Sequence, residues 1–176
     1  MTVAVSLRDL VDELQMLSNE SNAYLNKVTG KVITITDDDI AMVEMDNEFE
    51  DELEEAHGET SDEVSDLEAQ FYEEVKRIFA QDADYLKLPS KFEVDEYEIM
   101  ERFCLSFPDP KVSDVLLEKI RGSGAFRRFK DTIYQYQIEN DWFKYRDEAY
   151  KEFAIAWLES HGIAYSDDMN RREQNT

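Results

Sequence analysis

Apolar residues in this chain recur mainly three and four positions apart, the spacing of one helix face, with a short stretch of alternation near the start. Ser6 followed by Asp9 reads as a helix N-cap with an acid at the third position. Leu7, Leu10, Val11 and Leu14 then predict an amphipathic helix over residues 7–18. Two β-rich runs follow, Tyr24-Leu25-Asn26-Lys27-Val28 and Lys31-Val32-Ile33-Thr34-Ile35-Thr36. Thr29-Gly30 between them predicts a hairpin turn, with Gly30 supplying a positive φ. A lone hairpin is marginal in water. Tyr85-Leu86-Lys87-Leu88 alternates correctly for a third strand, which Pro89 ends at a sheet edge.

The remaining periodicity is helical. Met42, Met45, Phe49 and Leu53 form one predicted stripe, capped by Thr36 or Asp37. Gly58 breaks the pattern, and Val64, Leu67, Phe71, Val75 and Ile78 form a second stripe capped by Ser61. Tyr97, Met100, Phe103, Cys104 and Phe107 make a third, stopped by Pro108-Asp109-Pro110. Val112, Val115, Leu116 and Ile120 lead to the break at Gly122-Ser123-Gly124, and Phe126, Phe129, Ile133 and Tyr136 resume beyond it. Asp141 is the expected cap of a last long helix carrying Trp142, Arg146, Ala149, Tyr150, Phe153 and Trp157, ending near Gly162. The expected fold class is α+β: a small antiparallel hairpin or three-stranded sheet with a mainly helical body. It is expected as one domain over residues 1–165, with an acidic helical insert at about 37–84 and a frayed tail at 166–176.

Charge changes the picture. The 176 residues hold 42 Asp+Glu and 19 Lys+Arg, a formal net charge of −23. Such a chain repels phosphate at long range, which argues against general nucleic-acid binding. Twenty acids and two bases, Lys76 and Arg77, lie between Asp37 and Asp84, whereas residues 111–151 carry nine bases and seven acids. No apolar run approaches the roughly 20 residues of a spanning helix, and no basic segment precedes an apolar one at the start. A single Cys104 allows no internal disulfide, so a reducing, cytoplasmic location is the expectation.

Candidate chemistry is sparse. Gly122, Gly124, Arg127, Arg128 and Lys130 stand at a glycine break that opens a helix. Free backbone N–H groups and fixed positive charge there suit a phosphate, a nucleotide or an acidic peptide. The structural alternative puts Phe126 and Phe129 in the core and pairs the arginines with carboxylates such as Asp131, Asp147, Glu148 or those of the acidic helices. The glycine spacing is that of no phosphate-binding fingerprint. Trp142, Tyr145, Arg146 and Tyr150 form an aromatic–arginine set of the kind enriched in interface anchors, or else a core stripe. His57 and His161 lack the spacing of zinc ligands. Asp37-Asp38-Asp39, like Asp82 and Asp84, reads as solvated helix-end chemistry rather than a cation site. Cys104 on an apolar stripe reads as a small hydrophobe. No catalytic residue, metal or cofactor is expected.

Three blocks carry a resemblance. They are Tyr85-Leu86-Lys87-Leu88-Pro89-Ser90-Lys91-Phe92-Glu93-Val94-Asp95-Glu96-Tyr97-Glu98-Ile99-Met100, then Gly122-Ser123-Gly124-Ala125-Phe126-Arg127-Arg128-Phe129-Lys130-Asp131, then Trp142-Phe143-Lys144-Tyr145-Arg146-Asp147-Glu148-Ala149-Tyr150 with Ala154 to Glu159. Together with the early hairpin, they resemble uncharacterised protein family 0158 over about residues 6–163, the acidic middle matching least. Tyr145 stands where that family usually has Phe. The resemblance implies a small bacterial cytosolic protein and supplies no activity, substrate or cofactor. The expected function is therefore a non-enzymatic interaction or regulatory module. It would bind a partner with a basic surface through the acidic helices, or a partner at the Trp142–Tyr150 face. The rival is a small-anion or nucleotide site at Gly122–Lys130.

Overall fold

The structure, a computed structural model, describes residues 3–53 and 66–169, the side chains of residues 46–53 excepted. It divides into two compact units, Met1–Ser90 with Ile163–Thr176, and Lys91–Gly162. A single domain over residues 1–165 was the expectation. Each unit buries apolar residues of its own, one around a sheet and one among helices.

The mixed unit opens with strand β1 (Val5–Ser6) and helix α1 (Leu7–Met16). Ser6 caps α1, its hydroxyl accepting from the Asp9 N–H at 3.1 Å. Leu7, Leu10, Val11 and Leu14 are buried as the spacing predicts. Strands β2 (Ser21–Asn26) and β3 (Val32–Thr36) form the expected hairpin. Gly30 has φ +72°, and Asn26 Oδ1 accepts from the Val28 and Thr29 N–H groups to hold the turn. Strand β4 (Tyr85–Lys87) adds antiparallel to β2, giving the order β3-β2-β4. Tyr24, Ile33 and Ile35 face helices α2 (Asp37–Leu53) and α3 (Asp66–Phe79), whose Val43, Val75 and Ile78 complete a core cluster. On the other face Thr34 donates to Glu13 of α1 at 2.8 Å.

The α2 stripe differs from its expected one. Met42 and Met45 are exposed, and Ile40 and Val43 pack inward instead. The cause is the cap. Thr36 and Asp39 bond reciprocally, the Thr36 N–H donating to Asp39 Oδ2 at 2.8 Å and the Asp39 N–H to Thr36 Oγ1 at 3.3 Å. That capping box starts the helix directly off β3 and fixes which side turns inward. Leu67 of α3 is likewise exposed. The expected Ser61 cap, Val64 and the break at Gly58 lie outside the described residues, as do the side chains of Phe49 and Leu53.

Ser166, expected to begin a frayed tail, is part of strand β5 (Tyr165–Ser166), which pairs in parallel with β1. Asp168 fastens the pairing. Its carboxylate accepts from the Ser6 hydroxyl at 2.7 Å and the Arg8 N–H at 2.9 Å, while Arg8 Nη2 donates to the Asp168 and Met169 carbonyls at 2.7 Å each. Tail composition is polar, so only this long-range bonding distinguishes the segment from a loose end.

The helical unit contains α4 (Glu96–Ser106), α5 (Pro110–Lys119), α6 (Ala125–Gln135) and α7 (Glu139–Ser160). Asp95 and Asp109 cap α4 and α5. Asp141 caps nothing, because α7 starts two residues earlier. At the end of α6, Gln137 takes φ +56° and the Ile138 N–H donates to the Ile133 carbonyl at 2.9 Å. This Schellman closure delivers the chain straight from one helix into the next. No helix among the described residues is long and apolar enough to cross a membrane.

Burial pushes the Asp168 carboxyl up, but the hydrogen bonds from the Arg8 N–H and the Ser6 hydroxyl outweigh it and hold the group below the usual carboxylate range. A carboxyl depressed on folding stabilises above its unfolded pKa and loses that contribution as pH falls through its folded value. Asp168→Ala should therefore cost about 1–3 kcal/mol at neutral pH. The gap to the wild type, measured by urea unfolding, should close on acidification; a gap that persists unchanged at low pH would rule out the ionised carboxylate as its source.

Candidate functional site

The helical unit is organised around edge-to-face aromatic packing. Phe103 of α4 meets Phe129 of α6 at 6.0 Å and Trp142 of α7 at 5.4 Å between ring centroids, and Phe129 meets Trp142 at 4.9 Å. Tyr145 joins at 5.4 Å from Phe103. Of the aromatic–arginine set, Trp142 and Tyr150 are thus core residues, each only 4% exposed. Arg146 is half-buried, its guanidinium 5.4 Å over the Phe143 ring and 3.9 Å from Glu96.

The glycine break opens α6 and is crossed by an arginine side chain. Gly122 and Gly124 both adopt positive φ, as the turn demands, and Gly124 is the N-cap of α6. Arg128 folds back across it. Its Nε donates to the Lys119 carbonyl at 2.9 Å, Nη1 to Ser123 at 2.6 Å and Nη2 to Arg121 at 2.6 Å. Those carbonyls lie at and just beyond the end of α5, where a cation favours the helix dipole. A Cβ on Gly124 would come within 3.1 Å of Arg128 Nη1. Arg128 is therefore a helix-closing residue bonded to carbonyls, rather than to the carboxylates that the structural alternative named. Arg127 and Lys130 point to solvent. From Lys119 to Lys130 the chain carries five cations and no acid. Among the described residues Lys119, Arg121, Arg127 and Lys130 form no ion pair.

Beside this corner lies a groove of about 990 Å³ in the helical unit. Trp142 and Phe129 form its floor, and Phe92, Tyr97, Phe126, Tyr134 and Phe143 surround it. These five are all exposed, from 38% for Tyr97 to 76% for Phe92. Lys91, Lys130 and Arg146 line it together with Asp95, Glu96 and Glu139. Asp95 is committed to capping α4, accepting from the Glu98 N–H at 3.0 Å. Glu139 has one carboxylate oxygen shut off from solvent with no hydrogen-bond donor. Periodicity had marked Tyr97 and Phe126 as core positions and passed over Phe92, Tyr134, Phe143 and Glu139. A surplus of aromatics over the number one stripe per helix can bury was the signal available.

Reactive groups are subdued. Burial pushes the Cys104 thiol up to about 11, so it stays protonated at neutral pH. Burial, helped by the Glu96 charge and opposed by Arg146, pushes the Tyr150 hydroxyl up to about 12. His161 is exposed and lies tilted against Trp157, the ring centroids 4.8 Å apart, and His57 lies outside the described residues. Asp82 and Asp84 pair with Arg77 at 2.8 and 3.0 Å. No group of three or more His, Cys, Asp or Glu side chains among the described residues could hold a metal ion.

Arg128→Ala should destabilise the helical unit by about 2 kcal/mol, because it strips the bonds from three carbonyls. Arg127→Ala should stay within about 0.5 kcal/mol of the wild type, as exposed substitutions do. Urea unfolding of the two variants checks this; equal effects would refute the closing role of Arg128.

The sequence pattern of one family, described as uncharacterised protein family UPF0158, matches residues 59–174. UPF0158 protein PA5073 of Pseudomonas aeruginosa is 27% identical over 66 residues, a stretch covering 37% of this chain and 43% of that protein. No solved structure matches the chain. The family match takes in the whole helical unit, with its glycine break and its groove, and by it the chain belongs to the uncharacterised protein family UPF0158.

Proposed function

We propose that this protein is a non-enzymatic interaction module whose recognition surface is the aromatic groove of the helical unit. The observation that supports it is the ring of five exposed aromatic side chains around one opening. Contiguous exposed apolar surface of this kind costs solubility and marks binding sites. Aromatic anchors with a few charged groups at the rim are the usual composition of an interface centre. Of the groove's carboxylates, Asp95 caps α4 and Glu96 faces Arg146. This reading moves the partner surface from Trp142 and Tyr150 to their outward neighbours.

A second reading, a small-anion site at the start of α6, is favoured by the cations Arg127 and Lys130, which form no ion pair among the described residues. Arg128 would contribute charge but not a free fork. The acidic helices α2 and α3 remain a further surface for a basic partner, with Met42 and Met45 exposed on it.

The test is selection from a random displayed-peptide library on the wild type and on a Phe126→Ala/Phe143→Ala variant. Both residues are exposed enough for the fold to survive. Peptides enriched on the wild type should lose at least about tenfold in affinity on the variant, each lost anchor being worth 1 kcal/mol or more. Enrichment that ignores the two substitutions sinks the groove. A thermal-shift series with phosphate, sulfate and nucleotides separates the anion reading, because a ligand at a hundred times its Kd adds about 2.7 kcal/mol.

A further inference from the structure

Resting on the groove reading, we propose that its occupant is an acidic polypeptide segment, one that seats an apolar or aromatic anchor over Trp142 and sets its carboxylates against Lys130 and Arg127. Charge complementarity carries this. The chain as a whole is strongly acidic, yet the corner that borders the groove holds five cations and no acid between Lys119 and Lys130. Phe126 and Lys130 sit one turn apart on α6 and both line the groove, so an apolar contact and a cation meet any ligand together. Arg127 lies three residues from Lys130 and extends the same charge along the helix surface.

The local cations are uncommitted. Lys130 and Arg127 make no ion pair among the described residues, and Lys91, which also lines the groove, makes none either. An anionic ligand therefore need not displace an internal carboxylate to reach them. Desolvating a fresh pair at a rim adds mainly encounter rate and orientation, which gives binding a marked salt dependence.

Glu139 decides between a peptide and a nucleic acid. It places a carboxylate on the groove wall with one oxygen lacking a donor. A peptide backbone brings N–H groups that a carboxylate on the wall can accept. A phosphodiester backbone brings only acceptors and a charge of the same sign. The net charge of −23 also opposes a long polyanion far more than a short segment carrying a few carboxylates.

The experiment uses the full chain and fluorescence anisotropy. Short labelled peptides share one Phe and one Leu anchor and differ only in flanking Glu, Gln or Lys; an oligothymidylate of similar length is the fourth probe. The Glu peptide should bind at least about tenfold tighter than the other two, and that advantage should shrink about tenfold from low to high salt. Arg127→Glu/Lys130→Glu, both exposed and expected to fold, should transfer the preference to the Lys peptide. Equal or better binding of the Gln or Lys peptide overturns the acidic partner and leaves the groove reading standing. Tighter binding of the oligothymidylate overturns it in favour of a nucleic acid. Self-association of the chain that the double charge reversal abolishes overturns it in favour of a second copy. Glu-peptide binding unaffected by Phe126→Ala overturns the anchored pose, and failure of every probe removes this proposal and the groove reading together.

Discussion

The edge-to-face packing of Phe103, Phe129 and Trp142 decides what the helical unit can show to solvent. Three rings at centroid separations of 4.9–6.0 Å leave little rotational freedom to the helices that carry them. Once Phe129 points inward, Phe126 three residues earlier reaches only the margin of the core. Once Trp142 is inward, its neighbour Phe143 must face out. The groove is thus the outer margin of the core. Its floor is tied to its walls by the same helices, so a ligand meets a largely preformed surface and pays little ordering entropy.

Much of the architecture was legible because it rests on local chemistry. Ser6 and Asp9 announce α1, Gly30 announces the hairpin, and Pro110 and the Gly122–Gly124 break bound α5. What escaped depended on partners distant in sequence. The β1–β5 pairing joins residues some 160 positions apart, and nothing in the polar run after Gly162 signals a strand. Gln137 closes α6 in a conformation usually left to glycine or asparagine, which hid the start of α7. On α2, periodicity found a stripe in Met42 and Met45, but the Thr36–Asp39 box sets a different side inward.

The candidate site was half visible. The Gly122–Lys130 block stood out by composition, and the structure divides it into two jobs. Arg128 closes α5, while Arg127 and Lys130 keep their charge at the surface. Residue type alone cannot assign such roles, since a guanidinium serves carbonyls and phosphates with the same fork. The exposed aromatics were invisible for a related reason: an aromatic at helical spacing predicts burial, and only packing shows which ones the core has no room for.

The strand β5 and the Asp168 clasp have a consequence for how the molecule is made. The helical unit, Lys91–Gly162, interrupts the chain of the mixed unit, whose last strand lies beyond it. Synthesis runs from the N-terminus at roughly 5–20 residues per second. On the ribosome, Val5 and Ser6 must therefore wait roughly 8–32 seconds, with an unpaired edge, while helices α1 to α7 emerge. The small parallel ladder is the last pairing open to the described strands, and a nascent chain stalled before Tyr165 would hold a mixed unit still missing that strand.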